Sequence, residues 1–251
     1  MIEVKELCKS FGDKLVLKNL STKFSEGKIN LIIGRSGSGK TVAIKSMLGL
    51  HNIDSGDIFF DERNFSIMND LERKKIRKEI GMVFQGGALF DSMTIEDNLS
   101  VPLIMFSKKS KSEIRDRVNF CLDRVNLVNV NKFFPSDLSG GMQKRVAIAR
   151  AIVLNPKYLF CDEPNSGLDP YTATVIDELL KEITYEYNIT TVINTHDMNS
   201  VMQIGDHIVF IKEGRKMWEG NKEQIINADN KDLNDFIFSS EIFKRLKKSL
   251  S

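Results

Sequence analysis

The sequence predicts an α/β fold, a parallel sheet covered by helices with a helical segment inserted. Three observations predict it. Strand-like and helix-like patterns alternate over residues 158–161, 171–187, 190–194, 199–204 and 208–211. An apolar run at 28–33, the pattern of a buried strand, leads through a glycine-rich loop into a helical pattern at 41–48. From residue 94 to about 151 the pattern is mostly helical, with breaks expected at Pro102 and Pro135.

The remaining elements follow in order. Ile2, Val4 and Leu7 alternate like a half-buried strand, and 15–17 and 20–24 read as two further short strands. Ser55-Gly56-Asp57 reads as a turn before a strand at 58–60. Residues 71–79 form a highly charged helix and 80–84 another apolar strand. Leu233, Phe236, Ile237, Phe243 and Leu246 give 233–250 the pattern of an amphipathic helix. No internal repeat or low-complexity segment is found. The basic run at 73–78 reads as a helix face in water, and that at 244–248 as the water-facing end of a tail helix docked on the domain or the partner subunit, with anionic lipid head groups as the alternative.

A chain of 251 residues holds one or two domains. With 41% hydrophobic and 28% charged residues it is a globular composition, which excludes disordered, collagenous and whole-chain coiled-coil classes. The 36 basic and 34 acidic side chains leave a net charge of +2, so no strong field argues for nucleic-acid binding. Apolar stretches such as 31–33 fall far short of the ~20 residues of a spanning helix. Residues 1–6 lack the basic region and apolar core of a signal peptide. Cys8, Cys121 and Cys161 show no metal or disulfide spacing and are expected as small buried hydrophobes in a reducing compartment.

The chemistry starts in the glycine-rich loop. Gly34-Arg35-Ser36-Gly37-Ser38-Gly39-Lys40-Thr41 fits G-x-x-x-x-G-K-[ST], between a predicted strand and a predicted helix opening through Val42. The glycines let backbone N–H groups turn in on phosphate oxygens, and the helix aims its positive end at the same anion. Lys40 is expected on the β- and γ-phosphates and the Thr41 hydroxyl on Mg²⁺. The strand at 158–161 ends in two carboxylates. Asp162 suits a Mg²⁺ role, and Glu163 suits a general base or water orienter. Leu138-Ser139-Gly140-Gly141-Met142-Gln143 precedes a helix, a second phosphate-binding geometry or an ordinary cap.

In this order the motifs resemble the nucleotide-binding subunits of ABC transporters over nearly the whole chain. The resemblance implies a P-loop NTPase (RecA-like) core with an N-terminal antiparallel β-subdomain and a helical insert. It implies an ATPase domain over 1–230, its helical subdomain at about 88–150, and an amphipathic tail over 231–251. Leu138 to Gln143 then match the signature that covers ATP from a second subunit. Gln85 matches the glutamine loop that reaches Mg²⁺ and water. Ser166 and Asp169 match the loop crossing the dimer interface, with Asn165 where threonine is more usual. His196 matches the histidine on the γ-phosphate, and Phe11 the aromatic on adenine. His51 and His207 are read as structural. The implied cofactors are ATP and Mg²⁺. The implied assembly is a head-to-tail homodimer with integral membrane permease subunits, at the cytoplasmic face of the bacterial inner membrane.

Residues 84–94, followed by 98–103, resemble more narrowly the ATPase subunits of bacterial phospholipid transporters that work with Mce-type lipid-binding proteins. ABC importers of other small substrates, and ABC ATPases of iron–sulfur assembly or cell division, share the fold and remain open at this point.

Overall fold

A computed structural model of the chain describes residues 1–238. It divides into two compact units, residues 1–68 with 192 onward, and residues 69–191.

The first unit opens with β1 (Ile2–Phe11) and β2 (Lys14–Phe24), an antiparallel pair in which Ile2 faces Phe24. Ile2, Val4, Leu7, Leu17, Leu20 and Phe24 are all buried. The odd step from Val4 to Leu7 has a cause. Glu6 takes φ +47°, its N–H bonds Ser21 Oγ at 2.8 Å, and the register shifts there. A bulge of this kind adds a residue without changing the buried face. Asn19, at φ +53°, does the same in β2, so the two short strands expected at 15–17 and 20–24 are one bulged strand. After β3 (Ile29–Ile33) and α1 (Lys40–Met47) come β4 (Ser55–Phe60) and β5 (Arg63–Asn64), completing a four-stranded sheet in the order β2-β1-β4-β5. Ser55-Gly56-Asp57 is not a separate turn. Ser55 already pairs with Cys8 and Asp57 with Lys5, so β4 begins there.

In the second unit, α2 (Asp70–Lys78) starts at an Asn69–Glu72 capping box. In its basic run 73–78, Ile76 is buried and Arg73 half-buried, while Lys74, Lys75, Arg77 and Lys78 are exposed. β6 (Ile80–Val83) precedes α3 (Ile95–Phe106) and α4 (Lys111–Arg124), each with its own capping box. Pro102 does not break α3 as expected. An interior proline costs about 3 kcal/mol. Buried Ile95, Leu99 and Leu103 return about 1.5–3 kcal/mol each, and the Thr94–Asp97 box holds the start. Pro135 does open a short 3₁₀ turn, Pro135–Asp137. Then follow α5 (Gly140–Ile152), β7 (Tyr158–Asp162), parallel to β6, and α6 (Pro170–Glu186).

β8 (Thr190–Thr195) carries the chain back into the first unit. There α7 (Met198–Ile204), β9 (His207–Lys212), β10 (Arg215–Gly220), α8 (Lys222–Ile225) and α9 (Lys231–Ile237) follow. Within this unit the strand order is β10-β9-β3-β8, with β9 parallel to β3 and β10 antiparallel to β9. The sequence reading did not foresee β10, whose Arg215-Lys216-Met217-Trp218-Glu219 has no alternating apolar face. Leu233, Phe236 and Ile237 are buried, with Phe236 stacked on Phe210 at 5.5 Å. Phe243, Leu246 and the basic run 244–248 lie outside the described residues.

No helix among the described residues is long and apolar enough to cross a membrane. The three cysteines are free. Cys121 and Cys161 are buried, which pushes both thiols up, Cys121 to about 11. Cys8 is only half-buried and donates to Asn19 Oδ1 at 2.8 Å.

Candidate functional site

The first unit holds the phosphate loop. β3, fully buried, delivers the chain to Gly34, where φ is +153° and an added Cβ would lie 2.2 Å from the Ile211 carbonyl oxygen. Only glycine fits. Arg35, Ser36 and Gly37 form an exposed crest, closed by Ser38 N–H to Arg35 O at 3.1 Å and anchored by Gly214 N–H to Ser38 O at 3.0 Å. Gly39 caps α1 without a side chain, and the first turn carries no acid of its own. Lys40, 4% exposed, folds its ammonium back onto Gly34 O at 2.9 Å and Arg35 O at 3.3 Å. Ser38 Oγ is buried with no hydrogen-bond partner. A buried cation and an unsatisfied hydroxyl at the N-terminus of a helix suit a phosphate chain.

Thr41 Oγ1 accepts from Asn194 Nδ2 at 3.3 Å, and Val42 follows half-buried. His196 is exposed just past β8, before Asp197 caps α7. Phe11 is 45% exposed, with the ring of His51 edge-on at 5.1 Å and Lys9 Nζ 5.2 Å from its centroid. Burial, then Lys45 and Lys9, hold the His51 imidazole below its ordinary value. The sequence reading gave His51 no neighbour in the site. A cavity of about 310 Å³ opens beside residues 35–38, and Asp232 and Asp235 of α9 form part of its wall.

The second unit gathers the carboxylates and the glutamine. β7 buries all five residues and presents Asp162, 5% exposed, at its end. Glu163 follows at φ +46°, a conformation a non-glycine residue holds only under local constraint. Gln85, just after β6, donates from Nε2 to Ser166 Oγ at 3.2 Å and reaches Glu163 Oε2 at 3.5 Å. Asn165 Nδ2 bonds buried Asp177 Oδ1 at 2.6 Å, tying this loop to α6. Asp169 caps α6 through Thr172 N–H at 3.0 Å, and the Thr172 hydrogen bonds hold its carboxyl below the usual range.

Leu138 is buried, and Ser139 caps α5 through Met142 N–H at 3.3 Å. Gly140 is exposed. Gly141 lies where a Cβ would come 2.6 Å from Thr172 Cγ2, so the start of α5 lies close against α6. Gln143 turns inward, donating to Pro135 O at 2.9 Å and Leu138 O at 3.2 Å. The sequence reading passed over two residues of α5. Lys144 donates from Nζ to the Gln85 carbonyl, and Arg150 donates to the Ala88 and Gly87 carbonyls. A cation inside the apolar run of a helix, as in Lys144-Arg145-Val146-Ala147-Ile148-Ala149-Arg150, was the available signal.

Among the described residues no group of three or more His, Cys, Asp or Glu is placed to hold a metal. The donors expected for Mg²⁺, a Thr41 hydroxyl, a Gln85 amide and an Asp162 carboxylate, are all oxygen. That suits a small hard cation which keeps several waters.

The family model described as ABC transporter matches residues 17–166. The methionine import ATP-binding protein MetN of Clostridium tetani is 43% identical over 217 residues, covering 86% of this chain and 68% of that protein. The intermembrane phospholipid transport system ATP-binding protein MlaF of Haemophilus influenzae is 36% identical, covering 92% of this chain and 87% of that protein. The dimeric structure of MJ0796, a bacterial ABC transporter cassette, superposes with TM-score 0.82 at 34% identity, covering 88% of this chain and 99% of that one. A post-hydrolysis dimer of the same cassette bound to ADP and Pi gives 0.81 at 33%, with the same coverage.

Proposed function

Because the chain belongs to the ABC transporter family, as an ATP-binding and ATP-hydrolysing subunit, we propose that two copies act head to tail to power a phospholipid transporter. The observation that carries the site is the meeting of Gln85, Glu163 and Ser166, brought together from across 78 residues of sequence at the end of a buried strand. In this reading Gly34–Thr41 and Val42 hold the triphosphate, with Lys40 moving from the Gly34 and Arg35 carbonyls to the β- and γ-oxygens. Phe11 stacks on the base. Thr41, Gln85 and Asp162 would hold Mg²⁺, which would supply neutralisation of phosphate charge. Glu163 takes a proton from the attacking water, Gln85 orients that water, and His196 bonds the γ-phosphate.

Leu138–Gln143 of one copy cover the nucleotide of the other, and Ser166 and Asp169 line the contact between copies. The dimeric assembly of MJ0796, with its ADP and Pi state, supports this arrangement. The ATPase domain spans 1–230 with its helical part at about 88–150. The subunit sits on the cytoplasmic face of an inner membrane, held by permease subunits that work with an Mce-type protein.

Phospholipid is favoured by the wording of 84–94 and 98–103 and by the match along 87% of MlaF. The 43% identity to MetN favours a second reading, import of a small solute such as methionine. Purification from native membranes in mild detergent, with mass spectrometry of what accompanies the chain, separates them. A permease with an Mce-type protein and phospholipid supports the first reading. A permease with a solute-binding protein and no enriched lipid supports the second. Recovery from the soluble fraction without a membrane partner contradicts both.

A further inference from the structure

Residues 85–88 run through no helix or strand, and Gly87 and Ala88 take φ of +74° and +50°. One local bond, Gly87 N–H to Phe84 O at 2.8 Å, closes a turn there. The carbonyls of Gln85, Gly87 and Ala88 are held from α5. Lys144, 8% exposed, gives its ammonium to the Gln85 carbonyl. Six residues later, nearly two turns on, Arg150 gives Nη2 to Gly87 O at 2.8 Å and Nη1 to Ala88 O at 2.7 Å. Three carbonyl oxygens of one short segment are thus held by two cations of one helix. That helix starts at Ser139-Gly140-Gly141.

Burying an ammonium is costly, and an apolar residue at 144 would pack this helix without that cost. Burial holds the Lys144 ammonium below its ordinary value, and the nearby Glu163 carboxylate works against that. The cation is thus coupled to both groups whose relation matters. It holds the main chain of Gln85, while the Gln85 side chain reaches Glu163 and Ser166.

We propose that Lys144 and Arg150 are positioning residues for ATP hydrolysis, locking the Gln85 segment to the α5 helix so that the two move as one body. Lys144 acts by setting where the Gln85 amide is presented. This rests on the roles of Gln85 and Glu163 proposed above.

The test uses the full chain with Mg-ATP and follows ATP binding and turnover separately. Lys144→Met keeps the stem and removes the charge. It is expected to lower kcat at least about tenfold, the scale of one charge-assisted hydrogen bond. The Kd for ATP is expected to stay within about threefold. Lys144→Arg, which keeps a donor, recovers most of the turnover. In a Gln85→Ala background Lys144→Met adds less than about twofold, because the group it positions is gone. Unchanged turnover in Lys144→Met overturns the proposal, and so does a loss that multiplies in full with Gln85→Ala. If Lys144→Met does not fold, Lys144→Gln, with a shorter neutral donor, takes its place under the same two criteria. Equal turnover in the wild type and Glu163→Gln overturns the underlying assignment of Glu163 instead, a result the Lys144 variants do not produce.

Discussion

Gly34→Ala and Gly37→Ala change two glycines of one loop by the same methyl group, and the structure gives them different costs. At Gly34 the new Cβ lies 2.2 Å from Ile211 O and 2.8 Å from Ser38 Oγ. Even a close C–H···O contact needs about 3.3 Å, so the loop or the end of β9 must move by roughly 1 Å. That overpacking costs about 1–3 kcal/mol, and the positive φ adds a similar amount. At Gly37 φ is +78° but nothing lies within 4 Å of the new Cβ, so only the backbone term of about 1–2 kcal/mol remains. For a chain of 251 residues each kcal/mol moves Tm by roughly 2–4 °C. Gly34→Ala is therefore expected to lower Tm by about 10 °C and Gly37→Ala by about 4 °C. Calorimetry without nucleotide measures both. Equal shifts, or a tolerated Gly34→Ala, would refute the claim that β9 sets the conformation of the loop.

Two further predictions concern stability. Burial opposes the charge of Glu219, but hydrogen bonds from His207 and Lys216 outweigh it and bring its carboxyl down to about 2. Its contribution is thus complete above its ordinary value of 4.5 and lost as pH falls from there towards 2. The Tm gap between wild type and Glu219→Gln should be present at pH 6 and close across that interval; a gap independent of pH contradicts this. Asn165→Ala removes a donor from buried Asp177 and should cost about 1–3 kcal/mol in denaturant unfolding, where an unchanged midpoint would show the bond to be unimportant.

Much of this was legible in the sequence because its strongest signals are local. A buried strand, a glycine loop and a helix are adjacent in the chain, so β3, residues 34–39 and α1 follow from pattern and spacing alone. The paired acids at the end of β7 are legible for the same reason. What escaped depends on partners distant in sequence. The bulges at Glu6 and Asn19 shift the alternation of β1 and β2, which made one strand read as two. Pro102 is tolerated because of what Leu99 and Leu103 bury, which local propensity does not report. β10 exists because β9 offers it an edge, not because its residues alternate. Lys144 and Arg150 look like two more charges on a basic helix until the carbonyls of residues 85–88 are placed against them.

The central claim is that Glu163 activates water for ATP hydrolysis, and Glu163→Gln tests it most directly. The change keeps size and hydrogen bonding but removes the base. Turnover should fall by about 10²–10⁴. ATP binding should persist, and light scattering should show a dimer that forms with ATP and does not come apart. Near-normal turnover, with no dimer held by ATP, would contradict the account.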